Sequence, residues 1–413
     1  MNTKIIHRLF LITLIGAPIV LLAMILRSPS ILISDESNFT HNIPLLGQYG
    51  ISPKFLNSLF NQSPGPLYQF IYYPLKFIGI RPIREYRIIN LLFLYGIVYL
   101  LYKFIKPEDT ENAFLKSLLI FVIPVTWATG GLALTEIPTM FFVLCSLLAL
   151  KFSLSETKHQ LLLLSVSGVL LGISIIGRMQ FLVIIPAAIY LLIQSKEVAR
   201  RSIVVFLILS SILPLCLFIT WKGFVPPHVQ SVQSGMNLMY LLFSFGFTWF
   251  FILLIYPEWY KIPRLGFYLK ILGALLLILF ILNTIFFSVS FMPIKTLTRL
   301  FPASIQPYYE HYSSLLFPCI MLCLSVLHII TLLHHINYSK QNNWQVFLLI
   351  SATLIAMTAL KSSAQFSSRY PYQAFPLLLL FCAKDIKINF SLLIRSLLGV
   401  GIGVVSLLLF YRQ

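Results

Sequence analysis

Two acidic residues stand side by side in the stretch ISDESNFTHN, residues 33–42, shortly after a long apolar run. The chain of 413 residues has only 12 acidic residues in all. A carboxylate that is partly shielded from water can orient a hydroxyl group and accept its proton. Asp35 and Glu36 are therefore candidate catalytic residues, with Asp35 as general base and Glu36 orienting the acceptor or a cation. The alternative is helix capping by Ser34 or Asp35, with Glu36 in the first turn.

A third acidic residue, Glu136, stands where another apolar run begins, in the segment GGLALTEIPTMFF. Thr135 can cap a helix that starts here, and Pro138 suits its first turn. Capping explains Glu136 about as well as a function does. If the segment lies on the same face of a helix bundle as Asp35, Glu136 becomes a candidate for contact with a substrate.

Basic residues supply candidate anion ligands. Arg178 lies where two apolar runs meet. It is a candidate anion ligand, or its side chain only extends to the membrane interface by snorkelling. Lys361 and Arg369 flank a short polar segment before a further apolar run. Arg369-Tyr370 directly precedes Pro371, and a guanidinium group at a helix N-terminus is well placed to hold phosphate.

The composition indicates what positions these residues. The chain is 58% hydrophobic and 10% charged, and its mean hydropathy is +0.89. A soluble protein of this length needs far more charge to cover its surface. We therefore predict an all-α polytopic membrane protein. The net charge of +18 fits Lys and Arg at cytoplasmic helix ends that face anionic lipid, rather than a nucleic-acid partner.

Apolar runs of spanning length recur along the chain, and they predict about 13 transmembrane helices, with a range of about 11–13. We expect one membrane domain over residues 1–413, without a separate soluble domain. The predicted helices lie near 8–26, 87–105, 114–128, 135–152, 160–177, 180–194, 202–220, 237–256, 266–288, 314–335, 344–360, 371–383 and 391–410.

The distribution of basic residues predicts a cytoplasmic N-terminus, because the short loops then on the inside hold more than half of the 30 Lys and Arg residues. The first outer loop, residues 27–87, is long and also basic. Its aromatic-rich stretch PLYQFIYYPLKFIGI is typical of helices that lie flat at the membrane interface. The loop can anchor lipid headgroups, or it can form the catalytic loop of a site for an anionic phosphate.

Taken in order along the chain, these features resemble the integral membrane glycosyltransferases with the C-type fold (GT-C), such as protein O-mannosyltransferases and lipid A aminoarabinose transferases. The matching positions are Asp35-Glu36, the segment SPGPLY at 63–68, Arg84 or Arg87 with Asn90, the helix entry TEIP at 135–138, Gly172 to Arg178, and Arg369-Tyr370. Some relatives carry a lysine just before the double proline, where this chain has Gln62-Ser63.

The resemblance implies transfer of a sugar from a polyprenyl-phosphate donor to a hydroxyl group of a lipid, glycan or protein acceptor. It implies an active site on the outer face, which is the periplasmic side if the membrane is a bacterial inner membrane. One displacement would invert the anomeric centre, with Asp35 as base and Glu36 beside it. The expected phosphate-binding residues are Arg178, Arg369, Tyr370, Lys361 and Arg84, and the expected acceptor- or sugar-binding residues are Glu136, His41 and Tyr68.

Other readings remain open at this point. Asp35 and Glu36 can share a divalent cation, although no DxD pattern supports a metal and no cofactor is otherwise implied. A flippase or transporter of lipid-linked sugar needs a polar path, yet none of the 12 acidic residues falls at the middle of a predicted span. An outer-face polymerase or ligase would rely on a large loop late in the chain, whereas here the large loop comes first.

Overall fold

Helices account for all regular secondary structure in the described part of the chain. The computed structural model describes residues 3–78, 83–155, 159–194, 197–230, 235–291, 298, 301–338, 342–362 and 365–412. Ten helices within these ranges are long and apolar enough to cross a membrane, or eleven if one bent pair is counted as a span. The predicted class, an all-α polytopic membrane protein, is confirmed.

The spanning helices carry few charges and leave apolar side chains exposed along their length, as lipid contact requires. With helices numbered in chain order, they are α1 (Thr3–Leu26), α6 (Ile83–Ile105), α9 (Glu136–Ser155), α10 (Gln160–Gly177), α12 (Glu197–Trp221), α13 (Leu238–Ile255), α14 (Leu265–Leu282), α15 (Gln306–Tyr338), α16 (Asn343–Met357) and α19 (Phe390–Tyr411). A π-helical turn, Asn283–Phe287, continues α14, and a 3-10 turn, Thr358–Lys361, continues α16.

Shorter helices fill the connections. In the described ranges they are α2 (Glu36–Thr40), α3 (Ile43–Tyr49), α4 (Pro53–Asn57), α5 (Leu67–Tyr72), α7 (Ala113–Ser117), α8 (Pro124–Gly131), α11 (Ile184–Gln194), α17 (Arg369–Tyr372) and α18 (Phe375–Cys382). Further 3-10 turns are Tyr73–Ile78, Leu118–Val122, Met179–Val183, Pro227–Val229 and Pro257–Tyr260.

The number of spans lies at or just below the lower end of the predicted range, and three predicted runs explain the difference. The run 114–128 breaks at Ile123, where two helical pieces meet at an angle of 82°. Ile123 is extended because it precedes Pro124, and a proline ring disfavours helical backbone in the residue before it. The run 180–194 is a short apolar helix, and the run 371–383 divides into α17 and α18.

The long loop after α1 folds into the short helices α2 to α5 and packs onto the end of α10. Residues 79–82 of this loop lie outside the described residues. The backbone N–H of Gly65 donates to the carbonyl of Gly177 at 3.3 Å. A Cβ atom at Gly65 would lie 1.9 Å from the carbonyl oxygen of Ile176, so only glycine allows this approach. The close contact fixes the loop against the end of a spanning helix.

Three buried amide side chains tie the loop together. Asn42 donates to Gln62 Oε1 at 3.1 Å and to the carbonyl of Phe60 at 2.9 Å. Gln62 and Gln69 exchange hydrogen bonds at 2.7 and 3.1 Å, and Gln69 also donates to the carbonyl of Phe39. Because each buried amide has partners, the network stabilises one conformation of the loop.

The connection between α8 and α9 is held by two other helices. Asn90 of α6 donates to the carbonyls of Thr129 and Leu132 at 2.7 and 2.6 Å. The Tyr411 hydroxyl of α19 donates to the carbonyl of Gly131 at 2.7 Å. These contacts fix the backbone that enters α9 and therefore fix the position of the acidic residue with which α9 begins.

Candidate functional site

Four charged side chains form a continuous chain of alternating charge at one end of the bundle. Asp35 Oδ2 accepts a hydrogen bond from Arg369 Nη2 at 2.5 Å. Arg369 Nη1 lies 3.4 Å from Glu136 Oε1, which also accepts from Arg178 Nη2 at 2.5 Å. Two carboxylates and two guanidinium groups thus alternate, and their formal charges cancel. All four are residues that the sequence indicated as site candidates.

Each of these side chains comes from a different segment of the chain. Asp35 directly precedes α2, Glu136 is the first residue of α9, and Arg369 is the first residue of α17. Arg178 follows α10 in an extended conformation, and its Nε donates to Thr135 Oγ1 at 2.8 Å. Because the segments are remote in sequence, the site exists only in the folded bundle.

The chain of charges runs from the interior towards the surface. The Glu136 side chain is 0% exposed and that of Arg178 is 10% exposed, whereas Arg369 is 23% and Asp35 36% exposed. Burial alone lowers the pKa of Arg369, but the nearby carboxylates of Glu136 and Asp35 raise it above its ordinary value, so the guanidinium stays charged. Asp35 is the member of the chain that solvent reaches most easily.

One oxygen of Glu136 stands apart from this arrangement. Glu136 Oε1 contacts both arginines, whereas the buried Oε2 has no hydrogen-bond partner among the residues that the structure describes. A buried carboxylate oxygen without a donor is costly, so unsatisfied atoms of this kind are uncommon in native proteins. Glu136 can therefore accept a further donor without losing the contacts that it already has.

Glu36 occupies a separate position, and this corrects the expectation that it meets a substrate. Its side chain is 0% exposed, and its Oε1 and Oε2 accept from Arg87 Nε and Nη2 at 2.9 and 2.6 Å. The backbone N–H groups of Ile33 and Ala133 donate to the same carboxylate at 2.9 and 2.7 Å. Both oxygens are thus fully engaged inside the protein, which gives Glu36 a structural role.

Arg87 completes this buried pair with all five of its guanidinium N–H groups. Two of them bind Glu36, and the other three donate to Ser28 Oγ, to the carbonyl of Pro29 and to the carbonyl of Ile31, at 2.8–2.9 Å. The guanidinium also lies over the ring of Tyr411 at 5.4 Å. The pair therefore joins the loop after α1 to α6 and α19.

Arg84 is predicted as a phosphate-binding residue, with Arg87 as the other basic residue at the matching position, and in the structure Arg87 is the buried partner of Glu36. Arg84 Nη2 donates to the carbonyl of Ser28 at 2.9 Å and takes no part in the chain of charges in the described structure. Arg84 is half-buried at the start of α6, whereas Arg87 lies about one turn inside the helix, where an arginine must find a buried acid or leave an uncompensated charge. This rule could have identified Arg87 as the partner of Glu36.

The remaining candidates surround the site less directly. Tyr68 is 2% exposed; its hydroxyl lies 3.4 Å from Thr40 Oγ1, and burial raises its pKa above the ordinary value. His41 is exposed at the end of α2. Ser362 Oγ donates to the half-buried Tyr370 hydroxyl at 3.5 Å, and Lys361 is exposed. Within the described ranges, these residues do not join the ion-paired chain.

Capping does not account for Asp35. It is the residue before the first turn of α2, yet its side chain makes no capping hydrogen bond there in the described structure. Ser34, the other capping candidate, has a φ of 53°, and its carbonyl accepts from Ser37 Oγ at 3.1 Å. The Asp35 carboxylate is instead committed to Arg369, which is more than 300 residues away in sequence.

A divalent cation shared by Asp35 and Glu36 does not fit this geometry. The two carboxylates bind different guanidinium groups, one at the partly exposed end of the charge chain and one in the interior. In the described part of the chain, no group of three or more His, Cys, Asp and Glu side chains could hold a metal ion. The arginines supply the positive charge next to these acids.

The arrangement combines a partly exposed carboxylate with two guanidinium groups at the end of a membrane-spanning bundle. A carboxylate can accept a proton from a hydroxyl group, and guanidinium groups bind phosphate oxygens through paired hydrogen bonds. Comparisons of the chain with family models, with curated proteins and with solved structures found no match.

Proposed function

We propose that this protein is a membrane glycosyltransferase of the GT-C type, which moves a sugar from a polyprenyl phosphate to the hydroxyl group of a lipid, glycan or protein acceptor. The observation that carries the proposal is the chain Asp35–Arg369–Glu136–Arg178. It places one accessible carboxylate beside cations that can receive a phosphate, with apolar helices on the lipid side. The resemblance of the sequence to GT-C enzymes points to the same chemistry.

The proposed reaction is a single displacement. The acceptor hydroxyl loses its proton to Asp35 while its oxygen forms a bond to the anomeric carbon of the sugar. The bond between that carbon and the phosphate oxygen breaks, and its electron pair leaves on the polyprenyl phosphate. Attack from the side opposite the phosphate inverts the anomeric centre. Arg369 and Arg178 stabilise the charge that develops on the leaving phosphate.

A lipid-linked donor suits the location of the charges. The four side chains lie where spanning helices end, which is the level of lipid headgroups in a bilayer. A phosphate attached to a long prenyl chain reaches this level while its chain stays among apolar helices. The excess of Lys and Arg on the opposite loops supports a site outside the cytoplasm, and we propose that it lies on the periplasmic face of a bacterial inner membrane.

Glu36 and its surroundings serve this reaction by positioning. The buried pair with Arg87 fixes the backbone on which Asp35 stands. Tyr68 packs on Tyr72 and on Phe39 of α2, with ring centroids 4.3 and 5.3 Å apart, and so helps to hold α2 in place. These residues do not touch the reacting atoms in this proposal.

The test uses the purified full-length protein, a labelled polyprenyl-phosphate monosaccharide and a mixture of membrane glycolipid acceptors. Release of polyprenyl phosphate should depend on the acceptor and be lost in Asp35→Asn, because the amide cannot take the proton. Glu310→Gln is the matched control, since Glu310 is an exposed carboxylate outside the site. An Asp35→Asn protein that folds and transfers at the wild-type rate contradicts the proposal. Movement of the intact lipid across liposomes without bond cleavage would indicate a flippase.

A further inference from the structure

The proposed base is not free in this structure. Asp35 Oδ2 accepts a hydrogen bond from Arg369 Nη2 at 2.5 Å, so the guanidinium group occupies one oxygen of the carboxylate. The guanidinium group therefore lies where an acceptor hydroxyl would approach Oδ2. For Asp35 Oδ2 to accept the proton of an acceptor hydroxyl, Arg369 has to give up at least part of this contact. The structure must therefore offer Arg369 another partner.

Glu136 is that partner. Arg369 Nη1 already lies 3.4 Å from Glu136 Oε1, a distance longer than that of a short charge-assisted hydrogen bond. The neighbouring atom, Glu136 Oε2, is buried and has no hydrogen-bond partner in the described part of the chain. A small shift of the Arg369 guanidinium towards Glu136 would shorten the long contact and supply a donor to the unsatisfied oxygen.

We propose that Arg369 is a two-position latch, which binds Asp35 in the absence of donor and moves towards Glu136 when a polyprenyl phosphate binds. The inference rests on the proposed function and adds its regulation: the anionic donor frees the base. With the donor phosphate in place, Arg369 contacts Glu136 and a phosphate oxygen, and Asp35 is released to accept a proton. The latch thus makes donor binding a condition for activating the acceptor hydroxyl.

Charge balance gives the reason for the movement. Without donor, the two carboxylates and two arginines of the chain cancel. A bound phosphate adds negative charge and competes for the same guanidinium groups. Some carboxylate must then lose its share of Arg369, and the loss is least costly for the carboxylate that water can solvate best.

Burial identifies that carboxylate. Asp35 is 36% exposed, whereas Glu136 is 0% exposed and would remain as a buried charge if Arg369 moved away from it. Arg178 is 10% exposed and is held by Thr135 as well as by Glu136, so it is the less mobile of the two arginines. The contact between Asp35 and Arg369 is therefore the one that opens.

The experiment measures how fast the Asp35 carboxylate reacts with a carbodiimide and an amine, by mass spectrometry of the full-length protein in nanodiscs. Undecaprenyl phosphate without sugar is the probe, and undecaprenol is the uncharged control. The exposed Glu310 is the internal reference for reagent strength. Binding of each lipid is measured separately from the shift of the thermal unfolding midpoint.

We expect undecaprenyl phosphate to raise labelling of Asp35 several-fold, and undecaprenol to leave it unchanged. In Arg369→Gln the latch is absent, so labelling of Asp35 should be high with or without lipid. In Glu136→Gln the second partner has lost its charge, so the increase caused by undecaprenyl phosphate should be smaller than in the wild type.

Two results overturn the latch, and they differ in what they say about the proposed function. If undecaprenyl phosphate binds but labelling of Asp35 stays the same or falls, the latch is wrong and the glycosyltransferase proposal is unaffected. If undecaprenyl phosphate does not bind at all, the proposed donor is wrong and the latch fails with it. Low labelling of Asp35 in a folded Arg369→Gln protein would also refute the latch.

Discussion

Replacement of Glu36 by glutamine should destabilise the protein strongly although it changes almost no volume. The carboxylate and its partner Arg87 are both 0% exposed, and the carboxylate accepts four hydrogen bonds. Glutamine keeps one acceptor oxygen but places an NH2 group where the other oxygen receives N–H donors. The substitution thus leaves Arg87 as a buried cation without its counter-ion. It also places the new NH2 group next to N–H donors that need an acceptor.

The expected cost follows from what a buried pair loses when one partner is removed, about 3–5 kcal/mol of unfolding free energy. The assay is unfolding of the purified protein in mixed micelles of increasing SDS content. Glu108→Gln is the matched control, because Glu108 lies 3.9 Å from Lys151 and both side chains are about one-third exposed. Loss of an exposed pair of this kind costs about 0–1 kcal/mol.

A double variant separates loss of charge pairing from general damage. Glu36→Gln combined with Arg87→Gln removes both charges, so no buried ion is left without a partner. Its destabilisation should be clearly smaller than the sum of the two single effects, by more than about 0.5 kcal/mol. Additive effects, or a Glu36→Gln variant as stable as Glu108→Gln, would show that the buried pair does not hold the loop.

Two further predictions concern packing and pH. Gly65→Ala should lower the free energy of unfolding by about 1–3 kcal/mol, because the added Cβ would lie 1.9 Å from the carbonyl oxygen of Ile176. Gly16→Ala is the control: a Cβ there has no neighbour within 4 Å, so the variant should be as stable as the wild type or more stable in the same SDS assay. Burial alone would raise the pKa of Asp109, but hydrogen bonds from Lys116 and Asn112 outweigh this effect and lower the pKa. The ionised carboxylate should therefore stabilise the fold fully above about pH 4, and this stabilisation should be lost as the pH falls through the lowered pKa. Asp109→Asn should therefore flatten the acid limb of a stability–pH curve, and an unchanged limb would contradict the assignment.

The apolar runs made most of the fold predictable, because a membrane-spanning helix needs a length and a hydropathy that few other segments have. Runs such as 202–220 and 391–410 correspond closely to α12 and α19. The runs 114–128 and 371–383 were harder, because both contain prolines whose effect on the backbone depends on the surrounding packing. A hydropathy average over the run does not register such breaks.

The four residues of the charge chain could be predicted to lie near one another, but the contacts between them could not be predicted. Asp35, Glu136, Arg178 and Arg369 all lie next to helix ends that the topology assigned to one face, so their approach could be expected. Which acid binds which arginine depends on distances of a few ångströms that no spacing in the sequence encodes. Arg369 is predicted to hold a phosphate, and that prediction does not indicate that its guanidinium binds Asp35 in the folded protein.

The loop network shows a second kind of limit. Gln62 stands in the segment where some GT-C enzymes carry a lysine, and nothing in the sequence around it predicts a structural role. In the fold its amide is fully buried between Gln69 and the carbonyls of Pro64 and Gly65. Its partners come from turns whose conformation is set only when the loop packs on α10. The structural role of such a buried amide is therefore seen in the structure and cannot be predicted from the sequence.

The adjacent acids that first suggested a site have separate tasks, and one task determines the other. Asp35 has a helical conformation with φ −69° and ψ −9°, so the next side chain points about 100° away around the turn. Since Glu36 is locked into the interior by Arg87, Asp35 is forced to face out towards Arg369. The buried Glu36 thus determines the direction in which the Asp35 side chain points. A variant that loosens Glu36 should impair the proposed transfer reaction even though the Glu36 side chain is 0% exposed.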